Sequence, residues 1–316
     1  GAQHVAPGGH VVGGQLHDND RLGGSRRLST GRNAGWEAMS SALAVHHGPF
    51  GRVTLYNLNR SMTLHAHREG HLIFHVQGPP ASIRIDDKVY QLAAGQGVAI
   101  SPWQPHNYIC THPNEPSLYL TLYITPFWFL QASRHASASL RFGRNPIEVT
   151  ETIRRLIFQV SAALLEDADD DFISGYLYSL TQECFDQSWQ WVADGASFTS
   201  CAPPVRDFRV RNAIKLMRER VNERVVLDKI ARGAGISRPH FYKLFRQQVG
   251  IPPNMYLNTL RMESAIDRLI SGPDPVTDIG LDLGFSSQAS FTRFFIANVG
   301  IPPSDYRRIA HLAEVA

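Results

Sequence analysis

The sequence predicts an α+β multidomain chain, a small antiparallel β-barrel followed by an all-α domain. Three observations carry that expectation. At about 150 residues per domain, 316 residues make two domains, each long enough to bury its own core. Short β-rich runs before residue 125 give way to helical spacing after Pro146. Charge also divides near Pro204: residues 205–316 hold 17 Lys and Arg against 11 Asp and Glu, and residues 1–204 hold 14 against 17. Histidine divides the other way, with 12 of 14 before residue 205.

Composition excludes several classes. Hydrophobic residues make up 43% and charged residues 19%, which is globular rather than disordered or fibrous. No run approaches the roughly 20 apolar residues of a membrane span, and the first residues lack a signal peptide's apolar core, so a cytoplasmic protein without a membrane partner is expected. Cys110, Cys184 and Cys201 are odd in number and widely spaced, which argues against a disulfide framework and a Cys-based zinc finger.

In chain order, residues 1–35 carry nine glycines and too few large apolar groups for a core, so they read as a flexible arm bearing Arg26, Arg27 and Arg32. Residues 36–145 form the β-domain, with strands in GRVTLYNLN, GHLIFHVQG, GQGVAISP and SLYLTLYIT and a hairpin turning at Asp86-Asp87. Short strands at this spacing suggest a barrel or jelly roll. Residues 146–194 read as two helices, the first with Val149, Ile153, Leu156, Ile157, Val160, Leu164 and Leu165 at helical spacing, the second from Phe172 to Asp194. We expect them to serve dimerisation. Residues 195–204 have linker composition, and 205–316 are helical in pattern.

Within that last domain GISRPHFYKLFRQQVGIPPNMY (235–256) is repeated as GFSSQASFTRFFIANVGIPPSDY (284–306). Each unit spells a short helix, a glycine and a second helix. Gly235 and Gly284 can take the left-handed conformation that ends a helix, and Ser237 can cap the next one. Phe241, Leu244, Phe245 and Val249, like Phe291, Phe294, Phe295 and Val299, then fall on a buried side. This is helix-turn-helix grammar, whose second helix enters the DNA major groove. The outward positions are Arg238, His240, Tyr242, Lys243 and Arg246 on the first such helix and Ser287, Gln288, Ser290, Thr292 and Arg293 on the second. Arg pairs bidentately with guanine and Gln with adenine. A connecting helix from Asn254 to about Leu269 would hold two readers in successive grooves.

At these residues the chain from about Val205 to Arg307 resembles the DNA-binding domain of AraC/XylS-type transcription regulators, notably in GFSSQASFTRFF and the VGIPPSDYR close. Gly280 departs from the pattern, standing where alanine is usual. The resemblance implies a bacterial regulator that binds double-stranded promoter DNA and touches RNA polymerase.

The β-domain concentrates histidine. His65, His67 and His71 have HxHxxxH spacing and PWQPH adds His106. On a strand His65 and His67 share a face, and a barrel can bring His106 beside them, a set that suits zinc, iron or nickel. The stretch resembles cupin motifs, with His71 in place of the metal-binding glutamate. Cupins fused to this DNA-binding domain usually act as effector pockets without metal, so the resemblance implies no obligatory cofactor and no catalytic residue. The expected effector site is His67, His71, Trp103 and His106 inside the barrel, with Trp103 as a stacking surface. Arg26, Arg27 and Arg32 would fold over an anionic effector, a carboxylate or nucleotide. His75 reads as a core histidine bonded to backbone.

The fold class is therefore a cupin-like β-barrel followed by an all-α double helix-turn-helix domain. The expected function is a non-enzymatic, ligand-responsive, homodimeric, sequence-specific DNA-binding transcription regulator, an activator. The alternative is a metal-dependent cupin enzyme fused to a DNA-binding domain, with a divalent metal on His65, His67, His71 and His106.

Overall fold

The computed structural model describes residues 40–132, 140–166, 168–190, 205–221 and 227–312. Strands β1 (Ser41–Gly48), β2 (Gly51–Leu58), β3 (Gly70–Gln77), β4 (Ala81–Ile85), β5 (Lys88–Leu92), β6 (Gln96–Ile100), β7 (His106–Ile109) and β8 (Ser117–Ile124) come first. Helix α1 (Pro126–Ala132), strand β9 (Pro146–Glu148) and helices α2 (Glu151–Leu165) and α3 (Asp170–Trp189) follow. The rest comprises α4 (Phe208–Glu219), α5 (Leu227–Gly233), α6 (Arg238–Val249), α7 (Pro253–Ser271), α8 (Val276–Asp282), α9 (Gln288–Val299), α10 (Pro303–Ile309) and β10 (Ala310–Leu312).

Seven strands form one sheet in the order β10-β1-β2-β8-β3-β6-β9, and β5-β4-β7 form a second. The Asp86-Asp87 turn joins β4 to β5 as expected, with Asp86 at φ 51°. The large sheet is covered on both faces, which explains why β2, β3 and β8 read as nearly continuous apolar runs. Val53, Leu55, Leu72, Phe74, Leu120 and Leu122 share one core with Ile153, Val160, Leu177 and Phe185 of the α2–α3 pair. Alternate residues point into the barrel, where Tyr56, Ile73 and Tyr119 meet Ile83, Ile85 and Tyr108 of the small sheet. Thr150 caps α2 by accepting the Ile153 N–H, and Asp169 caps α3 at the Asp171 N–H.

Two boundaries differ from expectation. Pro146–Glu148 pairs with β6, so the helical segment starts at Glu151 rather than 146. The second helix is assigned to Trp189, short of Asp194, and residues 191–194 lie outside the described residues. So do the arm 1–35, with Arg26, Arg27 and Arg32, and the linker 195–204.

The helical repeat folds as its spacing requires. Gly235 and Gly284 take φ of 69° and 82° between the helices of each pair. Phe241 and Phe245 are fully buried in the first unit, Phe291 and Phe295 in the second. Gly280 has a packing reason: a Cβ there would lie 2.7 Å from the Phe291 Cβ. Helix α7, 19 residues and about 28 Å long at 1.5 Å per residue, joins the units.

The helical domain is docked on the barrel at several points. Thr63 donates from N–H and Oγ1 to the Ala297 carbonyl at 2.8 and 3.1 Å. Thr259 Oγ1 donates to the Ala66 carbonyl at 2.9 Å, and Arg68 pairs with Glu263 at 2.7 Å. The two tyrosines that close the repeated units are both attachment points. Tyr256 stacks on Trp103 at 5.0 Å, and the Tyr306 hydroxyl lies 2.7 Å from His47 Nε2 and 3.2 Å from Arg52 Nη1. Finally, β10 adds to β1 in parallel, pairing Val45 with Ala310, His46 with His311 and His47 with Leu312. The C-terminal domain thus contributes a strand to the N-terminal sheet.

Candidate nucleic-acid interface and effector site

Helices α6 and α9 present the expected outward residues. Ser237 accepts the His240 N–H and Ser287 the Ser290 N–H, so each helix is capped at its entry. Arg238, His240, Lys243 and Arg246 are exposed and Tyr242 is half-buried. Arg238 lies 3.2 Å from Asp228 and over the Tyr242 ring at 5.4 Å, an arrangement that holds the guanidinium at the helix start. On α9, Gln288 and Arg293 are exposed, and Ser290 and Thr292 are half-buried. Ser287 is spent on the cap, and Gln288 already accepts from Thr277 at 2.8 Å. The barrel contacts reach this domain at Glu263, Thr259, Ala297 and Tyr306, none of them an outward reading position.

The four barrel histidines converge, though by a different route from the one expected. His65 and His67 lie on no strand; they sit in the irregular stretch between β2 and β3, where His65 makes a single antiparallel bridge to His106. Ligand atoms of His65, His67 and His106 all fall within 4.8 Å of one another, and His71 Nδ1 lies 3.3 Å from His106 Nε2. His65 Nδ1 faces the Thr63 carbonyl at 2.6 Å and His106 Nδ1 the Gln104 carbonyl at 2.8 Å. A carbonyl only accepts, so both rings carry their proton on Nδ1 and leave Nε2 as a lone pair. His67 Nε2 and His71 Nε2 are buried without a hydrogen-bond partner. Burial lowers all four pKa values, that of His106 to about 3, so the rings are neutral near pH 7. Neutral, backbone-oriented imidazoles with orphaned nitrogens fit a divalent ion of the zinc, iron or nickel class. His75 bonds to the Gly78 carbonyl at 2.9 Å, the backbone partner expected of it, but the residue is half-buried rather than in the core.

The barrel interior is a poor organic pocket. Its void, beside His71 and His106, is about 30 Å³, room for about one water. Trp103, at φ 64°, stacks on Tyr256 and lines neither this void nor the larger cavity described next. A cavity of about 800 Å³ instead opens between the barrel mouth and α7 and α9. His47, Arg52, His65, His67 and Glu69 wall it on the barrel side; Met255, Asn258, Met262, Glu263, Ile266 and Phe294 wall it on the other. Of the expected effector residues that lie among the described residues, His67 lines it and His71, Trp103 and His106 do not. Arg52 is 8% exposed, lies 3.6 Å from the Tyr123 ring centroid and keeps an unpartnered Nε. Burial, against the pull of Arg68, raises Glu263 to about 7. Sequence reasoning missed the wall residues other than His65 and His67 because they meet only through docking, although an arginine at an inward position of GRVTLYNLN was a visible signal.

Comparison with known proteins agrees with this architecture. An AraC-like ligand binding domain model matches residues 52–181 and a helix-turn-helix domain model residues 230–309. The probable transcriptional regulator LumQ of Photobacterium leiognathi is 23% identical over 79% of this chain and 94% of its own length. The lactose operon transcription activator of Staphylococcus xylosus is 26% identical over 50% of this chain, which spans 54% of that relative. Among solved structures, ToxT of Vibrio cholerae aligns with TM-score 0.55 as an apo variant, at 13% identity over 84% of this chain and 98% of that one. Wild-type ToxT bound to an unsaturated fatty acid aligns with TM-score 0.50, at 12% identity over 81% and 94%. Among the described residues no helix is long and apolar enough to cross a membrane. A cupin-like β-domain whose matched model is ligand-binding, joined to a duplicated helix-turn-helix, makes this chain a ligand-responsive transcription regulator of the AraC/XylS family.

Proposed function

We propose that this regulator reads promoter DNA with α6 and α9 and senses its effector in the cavity between the barrel and α7. The observation that carries the reading is the position of that cavity: one wall is the barrel and the other is the helix that joins the two reading heads. An occupant that binds one arrangement of the heads better than another shifts their population, and a differential affinity of a few kcal/mol suffices. The effector class we favour remains anionic with an apolar body: Arg52 supplies a buried cation and Met255, Met262, Ile266 and Phe294 supply the apolar wall. ToxT carries a fatty acid, which is such a molecule. Activation through RNA polymerase and a cytoplasmic location follow from the family reading. Homodimerisation is assigned to α2 and α3, whose Phe158, Leu165 and Phe172 are 73%, 60% and 64% exposed.

The DNA reading is tested by selecting bound duplexes from a random library and measuring affinity by anisotropy at fixed salt. Arg246→Ala is expected to weaken the selected duplex by about 1–3 kcal/mol and to relax the preference at one base pair. Equal loss on all sequences would reduce Arg246 to a phosphate contact, and no loss would remove α6 from the interface.

A second reading concerns the histidine cluster, favoured by the orphaned Nε2 atoms of His67 and His71. His65, His67, His71 and His106 would hold a divalent transition metal as a structural or sensing centre. Native mass spectrometry of protein purified without metal-affinity resin checks this reading and the subunit number together. One metal per chain, lost in His67→Ala, supports it; metal-free protein that takes up no added zinc, nickel or iron rejects it. A monomer mass with DNA present would reject the dimer.

A further inference from the structure

A second group of donors lies on the outside of the sheet, away from the barrel histidines. We propose that His46, Asp170 and His311 form a divalent metal site of the zinc class that clips the C-terminal strand to the barrel. The three come from β1, the first residue of α3 and β10, and one ligand atom of each lies within 4.8 Å of the other two. Register fixes the pairing: His46 and His311 are partners across the parallel β1–β10 ladder, so both side chains leave the same face. His46 is buried, stacked between Phe50 at 6.1 Å and His311 at 4.7 Å, and its Nε2 lies 2.7 Å from Asp170 Oδ1. Asp170 is available because Asp169, one residue earlier, is the helix cap.

Two imidazoles and one carboxylate are the donors of a three-protein-ligand zinc site, with a fourth position left for water. Calcium and magnesium, which take oxygen ligands, do not match two histidines. Ligand atoms about 2.0–2.2 Å from a tetrahedral ion must stand further apart than the present His46–Asp170 contact. The nearly parallel rings, 19° apart, must also open. His311 is exposed and can turn about its Cα–Cβ bond to meet the ion.

The site has a consequence for the regulator. Alternation along the same two strands sends His47 and Leu312 to the opposite face, where both line the large cavity. A metal on His46 and His311 therefore fixes the strand whose other face closes the effector cavity, and makes effector affinity depend on zinc.

The test uses the full chain without a tag, stripped with chelator and titrated with zinc against a competing chromophore. Backbone amide exchange at residues 310–312 is read in parallel. Wild type is expected to show a zinc event that slows exchange at 310–312 at least tenfold; His311→Ala and Asp170→Asn each lose that protection and weaken the event at least tenfold. His67→Ala, which removes only a barrel histidine, keeps the protection. The proposal is overturned if zinc leaves exchange at 310–312 unchanged in wild type, or if His311→Ala and Asp170→Asn retain the protection. Zinc uptake lost only in His67→Ala would assign the metal to the barrel cluster alone.

Discussion

Phe291→Ala is expected to lower stability by about 3–5 kcal/mol and to abolish reading by α9 while leaving α6 folded. The ring is fully buried and stands against Gly280 so closely that no Cβ fits between them. It also meets Phe285 at 5.5 Å and Phe295 at 5.9 Å. Truncation removes the knob that sets the angle between α8 and α9, and the missing side chain at Gly280 leaves nothing to fill the hole. Urea unfolding of the full chain checks the energy. A loss under about 1 kcal/mol would mean that the pair repacks around the gap, and selected duplexes would then keep both half-sites.

The second large effect is one of pH at the joint between domains. Glu263 on α7 pairs with Arg68, yet burial holds its pKa near 7 against an ordinary 4.5. For an acid raised in this way the folded chain holds a proton that the unfolded chain has released. Its stability is therefore highest below about pH 4.5 and falls as pH rises through 7. With the side chain 25% exposed, the span amounts to about 2–3 kcal/mol. Glutamine imitates the protonated form. Glu263→Gln should thus match wild type at pH 5 and exceed it by about 2 kcal/mol at pH 8. Thermal unfolding at both values, compared between the two proteins, isolates this group from the buried histidines, whose lowered pKa values act in the opposite sense. An equal gap at both pH values would show that the Arg68 pair, not the proton, dominates.

Local chemistry made much of this legible. Gly235, Ser237 and the spacing of Phe241 and Phe245 announce a turn, a cap and a buried stripe within one short window, and the structure repeats them at Gly284, Ser287, Phe291 and Phe295. The convergence of His65, His67, His71 and His106 was legible from type and spacing, although the stretch carrying His65 and His67 is irregular rather than extended. What escaped is long-range register. Nothing near Ala310 announces a strand, because β10 exists only through its partner β1, more than 260 residues earlier. The 800 Å³ cavity belongs to neither domain alone, so its walls share no local pattern. Trp103 was legible as an aromatic stacking surface, expected inside the barrel; its stack on Tyr256 depends on a residue more than 150 positions later.

The duplication that produced the two reading heads also produced two matched tethers, since Tyr256 and Tyr306 occupy the same place in the repeated unit. One is held by stacking on an indole, the other by hydroxyl contacts to a histidine and a guanidinium. Fastenings of different chemistry answer to different triggers: the aromatic one is indifferent to ions, whereas the polar one borders the cavity through His47 and Arg52. An occupant that displaced His47 or Arg52 would therefore act on the Tyr306 fastening and leave the Trp103–Tyr256 stack untouched.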